Sequence, residues 1–68
     1  MPISARNQIK GTVGSITRGP ATANVEVDAN GERLVASITV EAADELGLAE
    51  GKEVTAIIKA SDVLLSTD

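Results

Sequence analysis

The chain has 68 residues and a formal net charge of −4, and it contains no His, no Cys and no aromatic residue. This length allows one small domain, and the composition excludes a disulfide framework, a His/Cys zinc site and His- or Cys-dependent catalysis. Although 43% of the residues are apolar, a core without aromatic side chains is small, so we expect oligomer formation to supply part of the stability.

The first predicted strand covers residues 8–17. Gly11 and Gly14 interrupt its apolar pattern, and glycines within a strand indicate bulges or sharp bends of the kind that small closed barrels require. The Arg-Gly-Pro run at residues 18–20 ends the strand.

The second strand, residues 21–28, alternates strictly between apolar and polar residues, as a half-buried strand does. Asn30-Gly31 follows it, and this dipeptide between two alternating runs indicates a tight hairpin turn. The chain returns as a third strand, one face of which is formed by Leu34, Ala36, Ile38 and Val40.

Residues 41–46 are rich in helix formers, and Gly47 is well placed to end the helix. Two more strands are predicted over residues 53–59 and 63–65. This order predicts an all-β fold, a five-stranded OB-like Greek-key barrel with one short helix between strands 3 and 4. We expect a single domain over residues 1–68, with an SH3-like barrel or an open α+β sandwich as the alternative folds.

Several classes of function are disfavoured by the residue types present. The carboxylates cluster around the predicted helix, which is typical of a solvated face, and no calcium-loop pattern is present. Single-stranded nucleic-acid sites need aromatic platforms and a basic groove, whereas this chain has six basic residues and no aromatic one. Since the sequence contains neither a targeting segment nor an apolar run of about 18 residues, we expect no membrane association and a cytoplasmic location.

The remaining pattern is a set of donors near the two ends of the chain. Ser4 and Arg6 precede the first strand, while Lys59 ends the fourth and Ser61 follows it. The first and fourth strands are neighbours in such a barrel, so these residues could meet at one rim or across a subunit boundary, with Thr39 as a further hydroxyl donor. Charged and neutral donors of this kind suit a small tetrahedral oxyanion. Ordinary surface ion pairs and turn caps are the alternative explanation.

Three segments of the sequence resemble the molbindins, the Mop family of small molybdate-binding proteins. They are residues 3–11 (ISARNQIKG), 45–52 (ELGLAEGK) and 55–63 (TAIIKASDV). Related domains occur in molybdate-responsive regulators and at the end of molybdate-importer ATPases. Because 68 residues leave no room for a further domain, we expect the free storage form.

The resemblance implies a non-enzymatic cytoplasmic store of molybdate or tungstate, without a cofactor, in which the anion lies at the subunit interfaces of a hexamer arranged as a trimer of dimers. An OB-fold single-stranded nucleic-acid-binding module or a structural adaptor remains the alternative function. The ligand residues implied by the resemblance are Ser4, Ala5, Arg6, Thr39, Lys59, Ala60 and Ser61. Ala42 and Ala60 stand where related sites carry serine, so Ala60 keeps only a main-chain donor and Ala42 puts one donor in doubt.

Overall fold

The computed structural model describes residues 3–67, so positions 1, 2 and 68 of the predicted domain lie outside the described residues. In chain order the elements are β1 (Asn7–Arg18), β2 (Thr22–Ala29), β3 (Glu32–Thr39), the helix α1 (Val40–Glu45), β4 (Glu53–Ile58) and a 3-10 helix (Ala60–Asp62). Within residues 3–67, no helix is long and apolar enough to cross a membrane.

The strands form one antiparallel sheet in the order β3-β2-β1-β4. The first four predicted strands are therefore confirmed, and the bounds differ by one residue at most. β1 is the long central strand, because its first half pairs with β4 and its second half pairs with β2. The beginning of β1 consequently lies beside the end of β4, as the sequence predicts.

The fifth predicted strand, residues 63–65, is not formed in the described chain, where residues 63–67 have no regular secondary structure. Leu64 and Leu65 are 91% and 93% exposed. Apolar composition favours a strand, but a strand also needs a partner edge for its backbone hydrogen bonds. This segment pairs with neither β3 nor β4 of its own chain, so the sheet stays open and the closed barrel is absent from the described part of one chain.

The β2–β3 hairpin has the predicted two-residue turn. Asn30 and Gly31 have φ angles of 58° and 91°, the pair of positive values that defines a type I′ turn. The backbone N–H of Gly31 donates to the Asp28 carboxylate at 2.8 Å. The turn fixes the register of the two strands, with Ala29 opposite Glu32.

The bulge predicted for the first strand is also present. The register between β1 and β2 shifts between Val13 and Ser15, which makes Gly14 the extra residue. A bulge bends a strand and increases its twist. The bend lets the two halves of β1 pair with different partners.

The core lies on the inner face of β2 and the facing part of β1. Its buried members are Val13, Ala23, Val25, Val27, Ala29 and Ala43, and the partly buried residues packed against the valines are Ile16, Leu34, Ile38, Leu48 and Val54. The alternating face predicted for the second strand is thus confirmed, except that Ala21 is exposed and Ala29 takes part instead.

The helix α1 is held by caps at both ends. The Thr39 hydroxyl accepts a hydrogen bond from the backbone N–H of Ala42 at 3.0 Å. At the other end Gly47 has a φ of 62°, and the N–H of Leu48 donates to the carbonyl of Ala43 at 3.1 Å. This is a Schellman motif, so the predicted role of Gly47 as a helix stop is confirmed.

Candidate functional site

The two segments predicted to bind an anion lie at the same end of the sheet. The register pairs Asn7, the first residue of β1, with Ile58, the last residue of β4. Arg6 and Lys59 are the next residues on each strand, so the antiparallel geometry places them on one rim. The side-chain amide of Asn7 donates to the carbonyl of Ile58 at 3.2 Å, which ties the two strand ends together.

The backbone after Lys59 offers further donors. Lys59 is the N-cap of the 3-10 helix, without a side-chain capping bond, and its carbonyl accepts from the N–H of Asp62 at 2.9 Å. Within residues 3–67, the N–H groups of Ala60 and Ser61 form no backbone hydrogen bond. The ammonium group of Lys59 and two main-chain donors are therefore available within three consecutive residues.

The remaining predicted residues of this rim are accessible as well. Ser4, Arg6 and Ser61 are exposed and Ala5 is half-buried. The chain around the rim is unusually apolar for a surface, because Ile57 is 56% exposed and Leu64 and Leu65 are almost fully exposed. An exposed apolar surface beside a polar cluster is characteristic of an interaction surface.

Among residues 3–67, Arg18 and Arg33 have ion-pair partners, whereas Arg6 and Lys59, like Lys10 and Lys52, have none. Arg18 pairs with Asp44 at 2.9 Å. Lys52 donates through its Nζ to the carbonyl of Leu46 at 2.5 Å, which stabilises the C-terminal end of α1. The explanation of Arg6 and Lys59 as ordinary surface ion pairs therefore finds no support in the described part of the chain.

Arg33 has a carboxylate partner on the outer face of the hairpin. The Ser15 hydroxyl donates to Glu26 at 2.7 Å, and the Arg33 guanidinium donates to the other oxygen of the same carboxylate. The hydrogen bond from Ser15 and the bond and charge of Arg33 hold the pKa of Glu26 below its ordinary value of 4.5. The charges of Arg33 and Glu26 offset each other, so this cluster carries no net charge that would attract an anion.

Thr39 lies far from the rim formed by Arg6 and Lys59. It is the last residue of β3 and stands opposite Thr22, at the end of the sheet where β1 finishes. Since β1 has 12 residues, about 36 Å of strand separates its two ends at about 3.3 Å per residue. The structure therefore brings together six of the seven predicted ligand residues in one chain and leaves Thr39 apart.

The position of Ala42 is also informative, because it was predicted as the place of a missing donor. Its backbone N–H is already used by the Thr39 hydroxyl. The Thr39 oxygen accepts this bond and keeps its own hydrogen for donation to another acceptor. One donor, the Thr39 hydroxyl, thus remains available at this second location.

A broad concavity of the chain lies away from both locations. It is lined by Lys10, Gly11, Thr12, Asp28, Asn30, Gly31, Glu53, Val54 and Thr55. Two carboxylates and a single ammonium group give this surface a net negative charge, which repels an oxyanion. We therefore assign the candidate site to the rim of Arg6 and Lys59.

The sequence prediction omitted Asn7 from the site, although Asn7 connects the two segments. The available signal was its position directly after Arg6, at the start of a predicted strand. An Asn side chain has both donors and an acceptor, and at a strand end it readily bonds to main-chain groups.

Comparison with known proteins extends this description. A family model described as the TOBE domain matches residues 3–65. Molybdenum-pterin-binding protein 1 of Clostridium pasteurianum is 44% identical over 66 residues, which cover 96% of this chain and 97% of that protein. The structure of a molybdate-binding protein from Sporomusa ovata matches with a TM-score of 0.95 and 37% identity, covering 98% of this chain and 100% of the other. The cytoplasmic molybdate-binding protein ModG, solved with molybdate bound, matches with a TM-score of 0.90 and 40% identity over 94% of this chain and 46% of its own.

Proposed function

Because this chain belongs to the TOBE-domain family and, within it, to the Mop group of molybdenum-pterin-binding proteins, we propose that it binds molybdate and catalyses no reaction. The observation that carries the proposal is the rim at the end of the β1–β4 ladder. There the register brings Arg6 and Lys59 together, and neither has an ion-pair partner among the described residues.

The ligand chemistry follows from the donors at this rim. Molybdate is a dianion with four oxygens, and each oxygen accepts hydrogen bonds. Arg6 and Lys59 supply charged donors, Ser4 and Ser61 supply hydroxyls, and the main chain of Ala60 supplies an N–H. Ala5 belongs to the site through its backbone. Tungstate has nearly the same size and charge as molybdate, so the same donors bind it too, whereas sulfate is smaller and fits donors of this spacing less well.

The complete site, in this proposal, lies between copies of the chain. Thr39 is separated from the rim of its own chain by the length of β1. A Thr39 hydroxyl can therefore contact an anion at the rim of Arg6 and Lys59 only when that rim belongs to a second copy. Exposed Ile57, Leu64 and Leu65 give the copies an apolar surface to share. The assembly proposed is a hexamer arranged as a trimer of dimers.

The same assembly accounts for the missing fifth strand. The sheet of one chain has two open edges, β3 and β4, and residues 63–67 follow the 3-10 helix without regular secondary structure. We propose that residues 63–65 pair as a strand when copies of the chain associate, which closes a five-stranded Greek-key barrel of the OB type. Burying two leucine side chains contributes roughly 3–6 kcal/mol to the association of each chain.

The biological role that fits these properties is intracellular storage and buffering of molybdenum by a single domain over residues 1–68. A cytoplasmic location is supported by the match to ModG, which is described as cytoplasmic. Reversible binding by hydrogen bonds suits a store, since the anion must be released unchanged.

Isothermal titration calorimetry with sodium molybdate tests the site. We expect Arg6→Ala and Lys59→Ala each to weaken binding at least tenfold, because a hydrogen bond to a charged group contributes about 1.5–3 kcal/mol. Lys10→Ala is the matched control, as it removes one positive charge from β1 about 13 Å along the strand from Arg6. At 0.15 M salt this distance exceeds the screening length of about 8 Å, so the affinity should change less than about twofold.

Different results contradict different parts of the proposal. Wild-type affinity in both the Arg6 and Lys59 variants would show that the rim is not the site. No binding of molybdate or tungstate by the wild type, and no molybdenum in protein purified after growth with molybdate, would overturn the function itself. Retention of single-stranded oligonucleotides at low salt would favour the nucleic-acid alternative, and the absence of a thermal shift with any oxyanion would favour an adaptor. A monomer mass in light scattering at micromolar concentration would refute the oligomer.

A further inference from the structure

The two anion-binding segments need a fixed separation, and very little in the chain provides it. Ser4 and Arg6 precede β1, while Lys59 and Ser61 follow β4, so both segments lie beyond the last registered pair of the ladder. Strand ends lose their order easily, because one side of the last pair has no further bonds. Within residues 3–67, the side chains of these four residues form no hydrogen bond that could hold the segments in place.

Asn7 is the residue that counters this loss of order. Its half-buried side chain donates through Nδ2 to the carbonyl oxygen of Ile58 at 3.2 Å. The carbonyl of Ile58 and the N–H of Lys59 belong to the same peptide group. Fixing the carbonyl fixes the plane of the peptide, and with it the point from which Lys59 and the 3-10 helix begin. Asn7 itself follows Arg6 directly in the chain, so the same residue also fixes where the segment of Arg6 leaves the neighbouring strand.

From this geometry we infer that Asn7 is a positioning residue of the anion site, which sets the separation between Arg6 and Lys59 without contacting the ligand. The inference rests on the proposed function and adds a determinant of selectivity to it. Donors held at one spacing favour the larger molybdate over the smaller sulfate. Donors that are free to move adapt to both ions and lose this preference.

Asn7→Leu tests the inference, because leucine is close to asparagine in size but has no donor. Asn24→Leu is the control, since Asn24 is an exposed strand residue with no side-chain hydrogen bond among those described. We expect Asn7→Leu to raise the molybdate Kd about fivefold, the effect of one neutral hydrogen bond. The ratio of the sulfate Kd to the molybdate Kd should fall at least about twofold in Asn7→Leu and stay at the wild-type value in Asn24→Leu.

The selectivity ratio separates positioning from a general loss of stability. A variant that is merely less stable loses affinity for both ions by the same factor, so an unchanged ratio in folded Asn7→Leu overturns the inference. If the wild type binds molybdate and Asn7→Leu binds it equally well, the proposed function stands and only the role of Asn7 fails. If the wild type binds no molybdate, the proposed function fails first.

A measurement on the wild type makes the test independent of whether the variant folds. In the NMR spectrum of the ligand-free protein, we expect the side-chain amide protons of Asn7 to exchange with water more slowly than those of Asn24. Equal exchange rates would show that the bond to Ile58 does not hold the site before the anion arrives, and would overturn the inference.

Discussion

The substitution Gly11→Ala tests how tightly β1 packs between its two partner strands. Gly11 stands opposite Val54 of β4, and a Cβ at this position would lie 2.6 Å from Cγ1 of Val27 and 2.7 Å from the carbonyl oxygen of Asp28. Favourable carbon contacts begin at about 3.5 Å, so the methyl group of Gly11→Ala must displace its neighbours by about 1 Å. One of these neighbours is main chain beside the hairpin turn and moves only with the strand.

Overpacking of this kind costs about 1–3 kcal/mol, and we expect the upper half of that range because the obstacle is partly backbone. In a domain of this size each kcal/mol lowers Tm by about 4–8 °C. Gly11→Ala should therefore melt about 10–20 °C below the wild type. Circular dichroism in the far ultraviolet is the assay, since the chain has no aromatic residue for fluorescence.

Gly14→Ala is the matched control for this change. Both glycines lie in β1, but a Cβ at position 14 would have the Glu26 carbonyl oxygen as its nearest neighbour at 3.7 Å, an ordinary contact. Both variants reduce the flexibility of the unfolded chain equally. The difference in Tm between Gly11→Ala and Gly14→Ala therefore reports the close contact at position 11. The samples must have equal protein concentration, because assembly makes Tm depend on it. A Gly11→Ala protein melting within about 2 °C of Gly14→Ala would refute the packing argument.

Three further predictions concern the pH response and the helix ends. Ser15 and Arg33 lower the pKa of Glu26 in the folded chain, so the stability from this charge is complete above about pH 4.5 and is lost as the pH falls through the folded-state pKa. The Tm difference between wild type and Glu26→Gln should be constant above about pH 5.5 and shrink towards pH 3, and a difference independent of pH would contradict this. Because Thr39 caps α1, Thr39→Ala should lower the free energy of unfolding, measured in urea without ligand, by about 1 kcal/mol. Thr39→Ser should restore the wild-type value. Equal urea midpoints for Thr39→Ala and the wild type would exclude the cap. Because Gly47 has a positive φ, Gly47→Ala should lower the free energy of unfolding by about 1–2 kcal/mol in the same assay. A variant as stable as the wild type would contradict this and show that the turn changes its backbone angles to accept alanine.

The sequence predicts best those parts of the fold that depend on a few neighbouring residues. The Asn30-Gly31 turn and the helix stop at Gly47 both require a positive φ, which glycine and asparagine adopt at little cost. The alternation of residues 21–28 specifies the buried face of β2 in the same local way. Pairing of β1 with β4 follows from the element order, and it gives a shared rim for Arg6 and Lys59 as one of two predicted arrangements, the other being a subunit boundary.

The features that the sequence could not give depend on distant partners. Residues 63–65 have the composition of a strand, yet in their own chain they pair with neither of the two free edges, β3 and β4, and without such a pairing no strand forms. The separation of Thr39 from Arg6 depends on the full length of β1 and on which half of it pairs with β2. The resemblance to the molbindins implies these residues as ligands without saying which copy of the chain provides each of them.

The exposure of the rim bears on whether one chain could bind molybdate well by itself. Two unit charges about 4 Å apart attract by about 1 kcal/mol in bulk water but by about 4 kcal/mol where water is partly excluded and the effective dielectric constant falls to about 20. Arg6 and Lys59 are exposed in the described chain, so in a single copy they attract the anion with the weaker of these energies. In the proposed assembly, Leu64 and Leu65 become buried beside the rim and exclude water from it. The exposed leucines and the unpaired cations are then two parts of one interface, because covering the apolar segment strengthens the site and binding the anion stabilises the contact between copies.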